Sequence, residues 1–194
     1  MVSQPHDAKE LVEKAQAGNV DAFGILYEHY APAIYRYLSA HLPDHMDAED
    51  LTMEVFLKTW QSISSYRQRG TPFVAFLFRI AHNILIDHYR RSRNRVQQSM
   101  TEFEDVLKDT NPGPPEMYST RLAHQELLNA MSHIQEDYQT VLILRFLSEL
   151  SPEETAQVMQ RSSGSIRVLQ HRALIALRKQ IDTIKVEYLY EKSA

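Results

Sequence analysis

The segment PFVAFLFRIAHNILIDHYRRSRNR, residues 72–95, carries two apolar stripes at helical spacing. Phe73, Phe76, Leu77, Ile80, Ala81 and Ile84 make the first, and Val74, Phe78, Leu85 and Tyr89 the second. Between them they cover most of a helix circumference. A narrow polar edge remains: Arg79, His82, Asn83, Asp87 and Arg90. The helix then runs into Arg90, Arg91, Arg93 and Arg95, with no acid between His88 and Thr101. An embedded helix with one polar edge and an arginine-rich end suits a strand of phosphates and bases. Arginine offers a planar donor fork to phosphate or guanine, and aromatic rings stack on unpaired bases. A core helix with a solvated basic end is the plainer alternative.

Charge distribution favours the nucleic-acid reading. The chain as a whole is slightly acidic, formally −4, which argues against a non-specific coating protein. Its acids avoid two windows: residues 88–101, and residues 161–181 with Arg161, Arg167, Arg172, Arg178 and Lys179. Those nine of the 21 basic residues leave 12 to set against all 25 acids elsewhere. Two compact basic faces on an acidic body point to DNA contact in two places and protein contact in others.

At 194 residues with 43% hydrophobic content, the chain suits one or two small domains with modest cores. No apolar run reaches the ~18 residues a membrane span needs, so no membrane insertion is expected. The first residues, MVSQPHDAKELVEKAQAG, are unlike a secretory signal. Cysteine is absent, which removes disulfides and thiolate metal sites and fits a cytoplasmic address. Five glycines and no Gly-rich phosphate loop argue against a nucleotide-binding enzyme. His41 and His45 are four apart, but Leu42-Pro43 interrupts a helical metal pair. The reading is therefore no enzyme, no metal, no cofactor and no small-molecule substrate.

The remaining periodicity is helical throughout. Residues 7–17 read as a short helix ended by Gly18. Phe23, Leu26, Tyr27, Tyr30, Ile34, Tyr37 and Leu38 mark a helix from Asp21 to His41 that Pro32 should bend or split. The next opens at Asp47 as its cap, with Leu51, Val55, Phe56, Trp60 and Ile63 inward. SYRQRGTP is a loop. Residues 96–118, VQQSMTEFEDVLKDTNPGPPEMY, read as a flexible acidic linker, extended around its prolines. Helices at 119–133 and 136–147 follow, the latter around Tyr138, Val141, Leu142, Leu144 and Phe146. Then comes SPEETAQVM, with Ser151, Pro152 and Glu154 as N-cap, first-turn proline and capping-box glutamate. After the turn QRS, SGSIRVLQHRALIALRKQI puts Ile166, Leu169, Ala173, Ala176 and Leu177 inward. Arg167, Gln170, His171, Arg172 and Arg178 can face out. This pair is a helix-turn-helix. The expected fold is all-α, two small helical domains at 1–95 and 119–188, with the linker between them and a tail at 189–194.

With both segments in view, the chain resembles bacterial RNA polymerase sigma factors of the extracytoplasmic-function (ECF, group IV) family over about residues 8–185. DAEDLTMEVFLKTW is similar to the family's region 2.2, and PFVAFLFRIAHNILIDHYRR to regions 2.3 and 2.4. LSPEETAQVM with SGSIRVLQHRALIALRK is similar to region 4.2. The resemblance implies transcription initiation with core RNA polymerase, through its β′ and β subunits, at promoter DNA. It implies docking on a β′ coiled coil through Asp47, Asp50, Glu54 and Lys58. It implies minus-10 recognition through Arg67, Arg69, Phe73, Asn83, Asp87, Arg90 and Arg91, with a base flipped from the non-template strand. Minus-35 recognition would fall to Arg161, Ser163, Ser165, Arg167, Gln170, His171 and Arg172. The linker would thread the polymerase cleft, and control would fall to a separate anti-sigma factor.

Some positions depart from the family pattern. Phe76 stands where tryptophan is usual, Gln160-Arg161 replaces glycine-isoleucine in the turn, and Leu169 and Gln170 stand where arginine and leucine are frequent. The rival reading is a free-standing helix-turn-helix regulator, which leaves the arginine-rich end of the first domain without a use.

Overall fold

The structure is a computed structural model that describes residues 8–67, 71–98, 127 and 129–191, with side chains to Arg91 in the first half and to Ile184 in the second. Among these residues there is helix and turn and no strand. Arg69, the expected linker beyond Gln98 and most of the expected helix at 119–133 lie outside them.

α1 (Ala8–Gln16) buries Leu11, Val12 and Ala15 and ends at Gly18, whose φ of +89° is a left-handed conformation that glycine takes without strain. Asn19 caps α2 (Val20–Ser39), its side-chain oxygen accepting from the Ala22 N–H at 2.9 Å. The sequence leads one to expect a bend or split at Pro32, but α2 is assigned as one helix across it. Pro32 and Glu28 are both exposed, so the carbonyl that the proline cannot serve faces solvent. α3 (His45–Ser62) starts two residues before the expected Asp47. Asp44 is its cap, accepting from the Met46 N–H at 2.8 Å, and Asp47 takes a first-turn place. A 3₁₀ turn, Ile63–Ser65, closes α3, and after the loop α4 (Phe73–Gln98) runs through the middle of the domain. Tyr30, Tyr37, Leu26, Ile34 and Leu38 of α2 meet Leu77, Phe78 and Leu85 of α4 with essentially no exposure.

The second half follows its sequence signals except at Phe146, which was expected to pack inward and is 57% exposed. A helical turn ends at Ser132, and α5 (Glu136–Leu142) continues as a π-type turn, Ile143–Leu147. α6 (Pro152–Val158) has the expected capping box. Ser151 Oγ accepts from the Glu154 N–H at 3.1 Å, and the Ser151 N–H donates to the Glu154 carboxylate at 2.8 Å. Gln160 makes the turn with φ of 54°, which explains why a glycine would be at home there. α7 (Ser163–Glu191) is longer than its recognition segment requires, about 43 Å at 1.5 Å per residue.

The two halves lie against each other. α6 packs on α4, the π-type turn packs on α2, and buried residues of both halves form one continuous apolar cluster. A polar seam crosses this contact. His41 donates from Nδ1 to the Tyr37 carbonyl at 2.8 Å, and its Nε2 lies 3.4 Å from Thr140 Oγ1. Tyr89 donates its hydroxyl to the His41 carbonyl, and the Tyr37 hydroxyl is 3.0 Å from His82 Nδ1. Burial holds the His41 pKa down to about 4, so its ring is neutral and Nε2 is free to accept from Thr140. Burial also lowers His82, against the opposing charge of Asp137 from α5. It raises Tyr89 to about 12, with Glu136 adding to the rise.

Candidate nucleic-acid and polymerase interfaces

The loop before α4 is held by aromatic rings and by one glutamine. Gln16 donates from Nε2 to the carbonyls of Ile63 (2.9 Å) and Tyr66 (2.8 Å), pinning α1 to the loop. The Tyr66 hydroxyl donates to the Thr71 carbonyl at 2.6 Å, closing the loop across its base. The Tyr66 ring lies 4.8 Å from Phe76 and 5.7 Å from Phe73. Phe73, expected to face DNA, is 4% exposed and also packs on the Tyr30 ring. It supports the loop from below and presents no face to a base. Phe76, in the usual tryptophan position, is likewise a core residue.

The polar edge of α4 divides in two. Arg79, Asn83, Arg90 and Arg91 are exposed and Asp87 is half-exposed. Arg79 lies over the Phe76 ring at 5.9 Å. Arg90 pairs with Asp87 at 2.9 Å, an i,i+3 pair at the surface. His82, read from sequence as part of this edge, instead turns to Tyr37 and the seam. Arg67 is exposed and donates to the Ser64 carbonyl at 3.2 Å, beside the same loop.

The open face of α3 is more mixed than the charged residues alone suggest. Asp50 is exposed, and Glu54 pairs with Lys58 at 2.7 Å. Asp47 lies 3.8 Å from His88 Nε2 on α4, so part of its charge is turned to its own domain. Among these carboxylates Met46, Met53 and Leu57 are 57–73% exposed. The sequence reading missed them, although their spacing (46, 53, 57) puts them on one helical stripe.

In the helix-turn-helix, Ile166 and Ala173 are fully buried and Leu169, Ala176 and Leu177 partly so, while Ser165, Arg167, His171 and Arg172 are exposed. Ser162 Oγ accepts from the Ser165 N–H at 3.2 Å, ending the turn and leaving half-exposed Ser163 in the first helical position. Arg161 reaches back to Asp137 at 2.5 Å, and Arg167 to Glu153 at 3.3 Å. Both pairs are exposed and weak enough to exchange for phosphate. Gln170 differs from the expectation. It is half-buried, and its side-chain carbonyl accepts from Arg145 Nε at 3.0 Å. Val168 and Ile175, more than half exposed, were not anticipated on this face.

Among the described residues no group of three or more acidic or histidine side chains is placed to hold a metal ion, and no helix is long and apolar enough to cross a membrane.

Comparison with known proteins covers both halves of the chain. The Sigma-70 region 2 family model matches residues 26–96, and the Sigma-70 region 4 model matches residues 124–177. The chain is 33% identical to the ECF RNA polymerase sigma factor SigD of Mycobacterium tuberculosis, over 93% of this chain and 87% of that protein. It is 38% identical to the ECF RNA polymerase sigma factor BldN of Streptomyces coelicolor, over 88% of this chain but 64% of that longer protein. Among solved structures, CnrH in complex with the cytosolic domain of CnrY superposes with a TM-score of 0.68 at 21% identity, covering 89% of this chain and 96% of that one. The Bartonella quintana sigma factor RpoE, solved with the anti-sigma factor NepR, gives 0.66 at 23% identity over 82% and 96%. The two structures share the fold, and the sequence relatives fix the family: this chain belongs to the ECF RNA polymerase sigma factors.

Proposed function

We propose that, in directing promoter-specific initiation by core RNA polymerase, this chain uses the edge of α4 for the minus-10 element and the open face of α7 for the minus-35 element. The observation that carries this is the pairing, in one chain, of an arginine-ended helix edge with a helix-turn-helix of exposed basic residues. Asn83, Arg90 and Arg91 would meet the unpaired strand, with Arg67 and the loop at residues 66–71 taking the flipped base; Asp87 orients Arg90. Arg67 and Arg90 are free to swap their present carbonyl and carboxylate partners for phosphate or base edges. Arg161, Ser163, Ser165, Arg167, His171 and Arg172 would serve the duplex. On α3, Asp50, Glu54 and Lys58 with Met53 and Leu57 would dock the polymerase β′ coiled coil, apolar contact giving affinity and charge giving register.

The chain acts by binding and not by catalysis, in the cytoplasm where the polymerase is. Two related folds were solved with protein partners, the cytosolic domain of CnrY and the anti-sigma factor NepR; we extend the latter kind of partner, an anti-sigma factor, to this chain. A gel-shift experiment separates this reading from a free-standing regulator. The purified chain should shift promoter duplex only together with core polymerase. Tight, sequence-specific binding by the chain alone would favour the regulator.

A further inference from the structure

Arg145, on the π-type turn after α5, belongs to no motif in the sequence and faces no solvent-exposed functional edge. It is half-buried and holds two acceptors at once. Nε donates to the side-chain carbonyl of Gln170, two turns into α7, and Nη1 donates to the backbone carbonyl of Leu150. Leu150 immediately precedes Ser151, the cap of α6, and its own N–H returns to the Leu144 carbonyl at 2.9 Å. One guanidinium thus ties the entry of the first helix of the helix-turn-helix to the N-terminal third of the second. Only a planar fork with diverging donors can make both bonds; a lysine ammonium on a flexible stem holds neither direction fixed.

We propose that Arg145 is a positioning residue for promoter recognition, setting the angle of α7 through Gln170. On this account Gln170 reads no base. Its carbonyl is committed inward, and its place on α7 contributes geometry while Arg167, His171 and Arg172 contribute contacts. The proposal rests on the reading of α7 as the minus-35 helix. A helix held at a fixed angle presents several side chains in register, so loosening it should degrade several adjacent base preferences together. Loss of a reader degrades one.

The test uses holoenzyme assembled from the full chain and core polymerase, with Arg145→Lys, Gln170→Ala, their double variant and Gln170→Glu. Each is measured on promoter duplexes carrying every single base-pair change across the minus-35 element, and each free chain is measured by thermal melting. Arg145→Lys and Gln170→Ala should each reduce discrimination about tenfold across several neighbouring positions. The double variant should be no worse than either single one. Gln170→Glu, which keeps an acceptor for Arg145 and makes it a charged one, should retain the wild-type pattern. The idea is overturned if Gln170→Ala relaxes one position only while Arg145→Lys changes none, because Gln170 is then a base reader. Additive losses in the double variant would overturn it as well. Should the wild-type holoenzyme show no minus-35 preference, the assignment of α7 fails instead. Melting then decides the clamp: non-additive destabilisation by the two substitutions supports it, and additive destabilisation removes it.

Discussion

Ile166 and Arg167 are neighbours on α7, the first fully buried and the second exposed, with its guanidinium 3.3 Å from the Glu153 carboxylate. An exposed pair of this kind contributes up to about 1 kcal/mol. Arg167→Ala should therefore melt within a few degrees of the parent yet weaken minus-35 duplex binding by roughly 1–3 kcal/mol if a base contact is lost. Ile166→Asp puts an unpaired charge in the small core and should unfold the second half. Thermal melting and duplex affinity, measured on both, distinguish the two faces; normal binding by folded Arg167→Ala would move the recognition surface toward Arg161. In α4, replacing Arg90 and Arg91 together by alanine should weaken promoter opening and flatten its salt dependence by about one released counterion per lost phosphate contact. Permanganate footprinting reads this directly, and unchanged melting would remove the edge from the DNA interface. Residues such as these were legible in sequence because they combine an open helical face with charge. His82, Gln170 and Phe73 were not. Periodicity places a polar side chain on an edge but cannot see a partner 45 residues away, as Tyr37 is to His82. Nor can it tell whether the first aromatic of a helix turns toward the loop or beneath it.

The order and type of the described helices followed from apolar spacing and caps, and starts such as Ser151 were placed by the chemistry of their side chains. Two expectations on the first half slipped for physical reasons, and α7 runs to Glu191, into the expected tail. Asp44 and Asp47 are both competent caps, and the helix uses the earlier one. Pro32 removes one hydrogen bond, but at an exposed position on a helix with Ala33, Ile34, Tyr37 and Leu38 buried just beyond it, tertiary packing outweighs that loss. The turn between α6 and α7 gives a prediction at this scale. Gln160 holds φ of 54°, a conformation that strains any side chain bearing a Cβ. Gln160→Gly should relieve that strain at some cost in unfolded-state entropy, for a net gain of up to about 1 kcal/mol. Chemical denaturation measures it; a clear loss of stability would mean that the Gln160 side chain makes a contact worth more than the strain.

At the scale of the molecule, the packing of the two halves could not be read from sequence, because it rests on pairs such as His41 and Thr140, 99 residues apart. That packing has a consequence for promoter binding. Elements named minus-10 and minus-35 lie roughly 25 base pairs apart, about 85 Å at about 3.4 Å per base pair. The longest element of the packed halves, α7, is about 43 Å long, roughly half that span. If α4 serves the minus-10 element and α7 the minus-35 element, as proposed, the halves are expected to separate on the polymerase. Because the native chain has no cysteine, dyes placed at Glu28→Cys and Lys179→Cys should report a short distance in the free chain and a longer one with core polymerase and promoter. An unchanged distance would contradict the opening. Acid should also open the seam. His41 is neutral in the packed state with its pKa lowered to about 4, whereas a solvated histidine titrates near 6.5. Stability of the packed state is thus full above about pH 6.5 and declines as pH falls toward 4, by up to about 1.4 kcal/mol per unit. The central claim, that two basic faces on one acidic chain direct polymerase to promoters, is tested most directly by run-off transcription on a library of random promoters. The chain plus core polymerase should enrich templates sharing two spaced elements, with neither component active alone; no enriched promoter at any salt concentration would contradict it.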